Sequence, residues 1–98
     1  MKTITKEEFS EFISTGRKVV QFSATWCGPC KMLTKTIEGI DLEGVEFAKV
    51  DVDQSRELAM QFGVRSVPLL VLFQDGEEVK QSPGAKPRDA VISFATED

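Results

Sequence analysis

The chain contains two cysteines, Cys27 and Cys30, separated by two residues. A strand-like run ends shortly before them and a helix-like run follows. The N-terminus of a helix stabilises an anion through its unpaired N–H groups and its dipole, and side chains three positions apart on a helix lie about 5–6 Å apart at Cβ. A thiolate that attacks disulfides needs such an electropositive place and a second thiol within reach. The spacing therefore predicts thiol–disulfide exchange, with Cys27 as the nucleophile and Cys30 as the resolving thiol.

The residues around the two cysteines fit this interpretation. Pro29 suits the first turn of a helix, where its missing N–H costs nothing. Gly28 leaves room for the backbone of a partner to approach, and Lys31 adds positive charge near the thiolate. We expect Cys27 to face solvent, because it precedes the helix, and Cys30 to point back toward the protein.

Other uses of a Cys-x-x-Cys pair are less well supported by this sequence. A structural zinc site needs about four ligands, usually a second Cys or His pair, and the chain has no histidine and no third cysteine. A structural disulfide closing so short a loop would contribute only about 2 kcal/mol. A metal cluster shared between two chains would satisfy the ligand count and stays open, with no residue that favours it.

Length, composition and charge limit the remaining possibilities. The 98 residues predict a single domain, 1–98, with 41% hydrophobic and 29% charged residues and a net charge of −4. A negative charge disfavours nucleic-acid binding, and no apolar run reaches the length of a membrane helix. The N-terminus reads directly into acidic, helix-like sequence without a signal-peptide pattern. We therefore expect a cytoplasmic monomer, in a compartment where two cysteines are more often catalytic than structural.

Hydrophobic periodicity and turn residues predict the element order β-α-β-α-β-α-β-β-α. The predicted strands are 3–4, 17–23, 45–52, 68–73 and 77–82. Four helices are predicted. The first opens with a capping box at 5–8, the second runs from the cysteines to Gly39, the third covers 55–62, and the fourth begins at Pro87. The early strands joined by helices should be parallel and the last hairpin antiparallel. The predicted fold class is α/β, a central mixed sheet with helices on both faces and the cysteines at the carboxyl end of a central strand.

Four short motifs, together with this order of strands and helices, resemble the thioredoxin family. The resemblance covers nearly the whole chain. The motifs are Trp-Cys-Gly-Pro-Cys-Lys at 26–31, Val-Arg-Ser-Val-Pro at 64–68, Phe-Gln-Asp-Gly at 73–76 and Pro-Gly-Ala at 83–85. The resemblance implies a thioredoxin-like fold and a protein-disulfide reductase that is rereduced by a thioredoxin-reductase-type partner. It implies client proteins with disulfides as substrates, and no cofactor beyond the redox-active disulfide Cys27–Cys30.

The resemblance also implies a substrate groove beside the cysteines. Its expected members are Trp26, Gly28, Pro29, Val67, Pro68 and Gly84. The Val67–Pro68 peptide bond should be cis and Pro68 should pack against the sulfurs. That arrangement would free the preceding backbone to pair with an extended substrate strand. Trp26 should be partly exposed, as one wall of the groove.

Gln21 is the main departure from the family pattern. The family usually has a buried aspartate at this position, beneath the resolving cysteine, where a carboxylate can act as a general base. An amide cannot titrate. Lys49, the partner of that acid in the family, is present, and without the acid we expect it to be unpaired and to reach toward water. Gln21, Lys31 and Lys49 are therefore candidates for tuning the redox centre.

Two alternatives to a general reductase stay open. Gln21 and Pro83, which replaces a residue that often offers a backbone N–H near the groove, leave room for a specialised, glutaredoxin-like redoxin with a narrow partner range. A non-catalytic binding module with the same fold is the other alternative. Such modules often lose a cysteine, whereas this chain retains both.

Overall fold

The computed structural model describes residues 1–98 and contains five strands and four helices in the predicted order. The strands are β1 (Lys2–Thr3), β2 (Arg17–Ser23), β3 (Val45–Asp51), β4 (Leu69–Gln74) and β5 (Glu77–Pro83). The helices are α1 (Lys6–Ile13), α2 (Gly28–Glu38), α3 (Arg56–Gln61) and α4 (Arg88–Thr96). Most boundaries agree with the prediction to within a residue or two. The first strand begins and ends one residue earlier than expected, although the N–H of the buried Ile4 still donates to the Lys49 carbonyl at 2.8 Å.

The strands form one mixed sheet in the order β1-β3-β2-β4-β5. Strands β1, β2 and β3 are parallel, β4 is antiparallel to β2, and β5 is antiparallel to β4. The expected parallel early strands and antiparallel final hairpin are confirmed, and β4, the first strand of that hairpin, already runs antiparallel to β2. Helix α3 has only six residues and spans about 9 Å, whereas a seven-residue strand spans about 23 Å. The chain does not return along the sheet, and β4 starts at the edge where β2 ends, with Leu69 opposite Phe22.

Both faces of the sheet are buried, which explains why β4 is almost continuously apolar. Val20 and Phe22 of β2 face α1 and α3, in a cluster that includes Phe9 and Leu58. Val19, on the opposite face, packs with residues of α2 and α4 such as Leu33 and Val91. Because side chains alternate along a strand, Gln21 lies on the α2 face with Val19. This alternation brings an amide beneath the helix that carries the cysteines.

Helix α1 begins with the predicted capping box. The Glu8 N–H donates to Thr5 Oγ1 at 3.3 Å, and the Thr5 N–H donates to Glu8 Oε1 at 2.9 Å. The bonds from the Thr5 backbone and side chain, with a smaller effect of Lys2, hold the pKa of the Glu8 carboxyl below its ordinary value. The stabilisation from this carboxylate is therefore present at neutral pH and is lost as the pH falls through the lowered pKa.

Thr5→Ala should remove half of this capping box. We expect the free energy of unfolding to fall by about 1 kcal/mol, the usual cost of losing a Thr N-cap. Urea melts at neutral pH measure the loss, which should shrink in acid as Glu8 is protonated. Ser10→Ala is the control, because Ser10 is exposed within the same helix and its side chain forms no hydrogen bond. Equal effects of the two substitutions would contradict the capping role.

Candidate active site

Cys27 is the N-cap residue of α2, with an extended backbone at φ −95° and ψ 111°. Its Sγ accepts a hydrogen bond from the Cys30 N–H at 3.1 Å, and the two cysteines form a disulfide with their Cα atoms 5.3 Å apart. Pro29 lies in the first turn, where no intrahelical N–H is needed. The helix therefore directs an otherwise unpaired backbone donor at the Cys27 sulfur, the arrangement that stabilises a thiolate.

The two cysteines differ in exposure, but less than the sequence predicts. Cys27 is 6% exposed and Cys30 1%. The expectation that Cys27 faces solvent is therefore wrong for the disulfide form. The bond to Cys30 and a small apolar cluster explain its burial, since both sulfur-bearing residues pack with Ala24, Val52 and Val67. The order of exposure, with Cys27 the more accessible, is the expected one.

The segment before β4 runs past the Cys27 sulfur. Its Val67–Pro68 peptide bond is cis, and the Val67 carbonyl oxygen lies 3.8 Å from Cys27 Sγ. The Pro68 carbonyl accepts a bond from the Gly84 N–H at 2.9 Å, whereas the Val67 N–H forms no hydrogen bond within the protein. A free N–H beside the reactive sulfur is a donor that an extended peptide can use.

Gly28 and Gly84 leave open space at this surface. An added Cβ at either position would meet no atom within 4 Å. Gly84 also has a φ of +87°, a conformation that favours glycine. The predicted groove residues Val67, Pro68 and Gly84 are therefore together in one loop cluster. Gly28 and Pro29 are exposed in the first turn of α2.

Trp26 is 71% exposed, more than the partial exposure expected from the sequence. Its indole Nε1–H donates to Asp53 Oδ2 at 2.9 Å. The neighbouring Asp51 orders this turn, because its Oδ1 accepts from the Asp53 N–H at 2.8 Å. Asp53 was not among the predicted site residues. The Asp-x-Asp pattern after β3 is a turn signal, but only the folded chain brings Asp53 to the tryptophan.

Gln21 is fully buried beneath the cysteines and satisfied at both ends. Its Nε2 donates to the Cys30 carbonyl at 3.1 Å, and its Oε1 accepts from Thr34 Oγ1 at 3.2 Å. The amide therefore ties β2 to two points of α2. Thr34 was also missed by the sequence analysis, since one threonine in an amphipathic helix has no distinctive signal.

Lys49 lies beside Gln21 on the adjacent strand β3, in direct register. It is half-buried, and its side chain forms neither a hydrogen bond nor a salt bridge. Lys31 is exposed on α2 and is likewise unpaired. Both lysines are therefore without a carboxylate to neutralise them, and for Lys49 this is the outcome expected from the presence of Gln21.

Thr34→Val should leave Gln21 Oε1 buried without a donor. We expect the free energy of unfolding to fall by about 1–3 kcal/mol, the cost of an unsatisfied buried polar group. Thr36→Val is the matched control on the same helix. Thr36 Oγ1 only adds a bond to the Met32 carbonyl, so its loss should change stability by less than about 0.5 kcal/mol. Denaturant melts of the oxidised proteins compare the two, and equal losses would argue against the Gln21–Thr34 bond.

A disulfide at the N-terminus of a helix, beside a cis proline and at the carboxyl end of a central strand, defines a thiol–disulfide oxidoreductase. The family model for thioredoxin matches residues 1–97. The chain is 42% identical to a thioredoxin of Chlamydia trachomatis over 96 residues, 96% of this chain and 94% of the relative. It is 41% identical to a Bacillus subtilis thioredoxin, over 89% and 86% of the two chains.

Comparison with solved structures also identifies thioredoxins. The structure of Fasciola hepatica thioredoxin superposes with a TM-score of 0.89 at 35% identity, covering 98% of this chain and 97% of that one. The chain belongs to the thioredoxin family, and it is a dithiol oxidoreductase with the thioredoxin-like fold predicted from the sequence. None of its helices has the length and apolar character needed to cross a membrane.

Proposed function

We propose that the protein reduces disulfides of client proteins, with Cys27 as the nucleophile and Cys30 as the resolving thiol. The observation that carries the proposal is the Cys30 N–H directed at Cys27 Sγ at the start of α2, since it favours negative charge on Cys27. The greater burial of Cys30 supports the same order.

The exchange proceeds in two steps. The Cys27 thiolate attacks one sulfur of the client disulfide, forms a mixed disulfide and releases the other client sulfur as a thiolate. Cys30 then loses its proton and attacks Cys27 Sγ, which releases the second client thiolate and forms the Cys27–Cys30 disulfide. The client gains two electrons and the protein loses two.

The surface next to Cys27 supports binding of an extended client segment. The free Val67 N–H and the Val67 carbonyl offer a donor and an acceptor for main-chain pairing. The exposed Gly84, Gly28 and Pro29 have small side chains or none and leave the surface around the sulfur open, whereas Pro68 is buried beneath it. The exposed Trp26 provides a flat wall, oriented by Asp53. Recognition through the backbone accepts many sequences, which favours a general reductase over a redoxin dedicated to one partner.

The proton of Cys30 has no buried carboxylate to receive it. Gln21 holds the Cys30 carbonyl in place and does not titrate. Water or the departing client thiolate therefore accepts the proton. Lys31 and Lys49 raise the local positive potential and tune the stability of the thiolates.

A complete cycle requires a partner that returns two electrons to the disulfide. We propose a thioredoxin-reductase-type protein for this step, acting on a monomer in the reducing cytoplasm. The Cys27–Cys30 disulfide is the redox centre, and the proposed reaction uses no further cofactor.

Cys27→Ser should abolish reduction of a model protein disulfide such as insulin. Cys30→Ser should instead accumulate a mixed disulfide on Cys27, because no second thiol resolves it. Turbidity follows insulin reduction, and intact-protein mass spectrometry detects the trapped adduct. Adducts on Cys30 in the Cys27→Ser protein, with none on Cys27 in the Cys30→Ser protein, would reverse the assignment.

Gln21→Asp should speed resolution of the mixed disulfide near neutral pH and add a titration to its pH profile. A positioned general base is typically worth about 10²–10⁴-fold, and we expect a smaller gain because this chain evolved without one. The new carboxylate should also lower stability, less so if Lys49 pairs with it.

Gln21→Asn is the matched control, because it shortens the side chain equally without adding a titrating group. Single-turnover kinetics across pH compare the three proteins, alongside denaturant melts. Indistinguishable pH profiles for the Asp and Asn variants would show that the proton leaves by a route independent of position 21.

A further inference from the structure

A polar cleft of about 840 Å³ opens beside α2, between the helix and β3. Nine of its ten lining residues are polar or charged, and the exception is Ala24. Sites for drug-like ligands are mostly apolar. The lining of this cleft therefore suits a small, strongly polar ligand rather than an apolar one.

Three lysines line the cleft, and their positive charge favours a negatively charged ligand. The chain has eight lysines, and five of them bond a carboxylate or a carbonyl oxygen. The three without any hydrogen bond or salt bridge are Lys31, Lys35 and Lys49, and all three line this cleft. Its one carboxylate, Asp51, already accepts bonds from two backbone N–H groups. The cleft is thus a local positive region on an acidic protein.

Ser23 provides an independent observation. It is only 6% exposed, it lines the cleft, and its hydroxyl forms no hydrogen bond within the protein. No buried side-chain polar atom of the chain is without a partner, so the Ser23 hydroxyl is open to the cleft, where it can donate to a ligand. The hydroxyls of Thr3 and Thr25 also line the cleft and are also without a partner in the protein. Hydroxyl and ammonium donors around one concave space are the groups that bind oxyanions.

We propose that this cleft binds a small multivalent oxyanion, such as a compound with two or more phosphate or carboxylate groups. The ammonium groups of Lys31, Lys35 and Lys49 supply the charge, and the Ser23 hydroxyl supplies a further donor. The inference goes beyond disulfide reduction, because none of these donors takes part in the exchange of sulfur bonds.

The cleft is connected to the redox centre through two side chains. Thr34, which lines it, donates to Gln21, and Gln21 donates to the Cys30 carbonyl. A bound anion cancels positive potential that would otherwise favour a thiolate in the adjacent turn. Because coupling between two binding events is reciprocal, the anion opposes formation of the Cys27 thiolate and binds the oxidised protein more tightly than the reduced one.

Calorimetric titration of the oxidised protein with inorganic pyrophosphate, at low ionic strength, tests binding without any turnover. Lys35→Gln and Ser23→Ala should each weaken binding about fivefold, and the double variant about twenty-five-fold if the free energies add. Lys6→Gln is the control, because it removes one exposed charge outside the cleft and should leave the affinity unchanged. Citrate, as a second probe, distinguishes phosphate from carboxylate ligands.

Absence of saturable binding of both anions at millimolar concentrations would overturn the proposal. So would an equal loss in Lys6→Gln and Lys35→Gln, which would indicate attraction by net charge alone. Amide shifts of the ¹⁵N-labelled protein should be centred on Ser23, Thr34 and Lys49. Since the disulfide is not turned over, these outcomes are independent of whether the protein reduces clients.

A separate experiment measures the coupling between anion binding and the Cys27 thiolate. Pyrophosphate should slow alkylation of Cys27 in the reduced protein by the neutral reagent iodoacetamide. The effect should disappear in the Ser23→Ala, Lys35→Gln double variant and persist in Lys6→Gln. Equal alkylation rates with and without a saturating anion would show that the cleft and the thiolate are not coupled.

Discussion

The first turn of α2 lies on the carboxyl end of β2, and the redox chemistry depends on that contact. The turn places the Cys30 N–H against Cys27 Sγ. This N–H is available because the first N–H groups of a helix have no carbonyl acceptor within the helix. Beneath the turn, Gln21 binds the Cys30 carbonyl and Thr34. If the helix moved along the sheet, the sulfur would lose its donor and the amide would lose both partners.

The amide at position 21 changes the balance between stability and proton transfer. A buried carboxylate costs several kcal/mol of desolvation unless it is well paired, whereas a glutamine with both ends bonded avoids that cost. The protein thereby loses a titrating group beneath Cys30 and leaves Lys49 without a counter-ion. Glutamine in place of the family's aspartate thus explains both the uncharged side chain beneath the disulfide and the unpaired Lys49 in the neighbouring cleft.

The surroundings of the cysteines combine two kinds of recognition. On the loop that carries Val67 and Pro68, the available groups are backbone atoms and apolar surface, which suit an extended peptide of varied sequence. Around Ser23, Lys35 and Lys49, the available groups are hydroxyls and ammonium groups, which suit a small anion. The first turn of α2 contributes to both surfaces, because Cys27 borders the peptide-binding surface and Lys31 lines the cleft.

Local sequence determined the elements and the reactive pair. The Thr5–Glu8 capping box, the alternation in β3 and the Cys-x-x-Cys spacing each depend on residues a few positions apart, so their consequences can be derived without the fold. Burial of β4 on both faces followed from its apolar run. The fold class could be predicted for the same reason.

Tertiary structure decided what depends on distant residues meeting. The antiparallel direction of β4 results from the short span of α3, and the burial of Cys27 results from packing with Val52 and Val67. The Trp26–Asp53 and Thr34–Gln21 bonds join residues 27 and 13 positions apart, and the cleft assembles donors from four elements and loops. Side-chain hydrogen bonds act over about 3 Å, so a one-dimensional pattern carries little information about which distant groups come within that range.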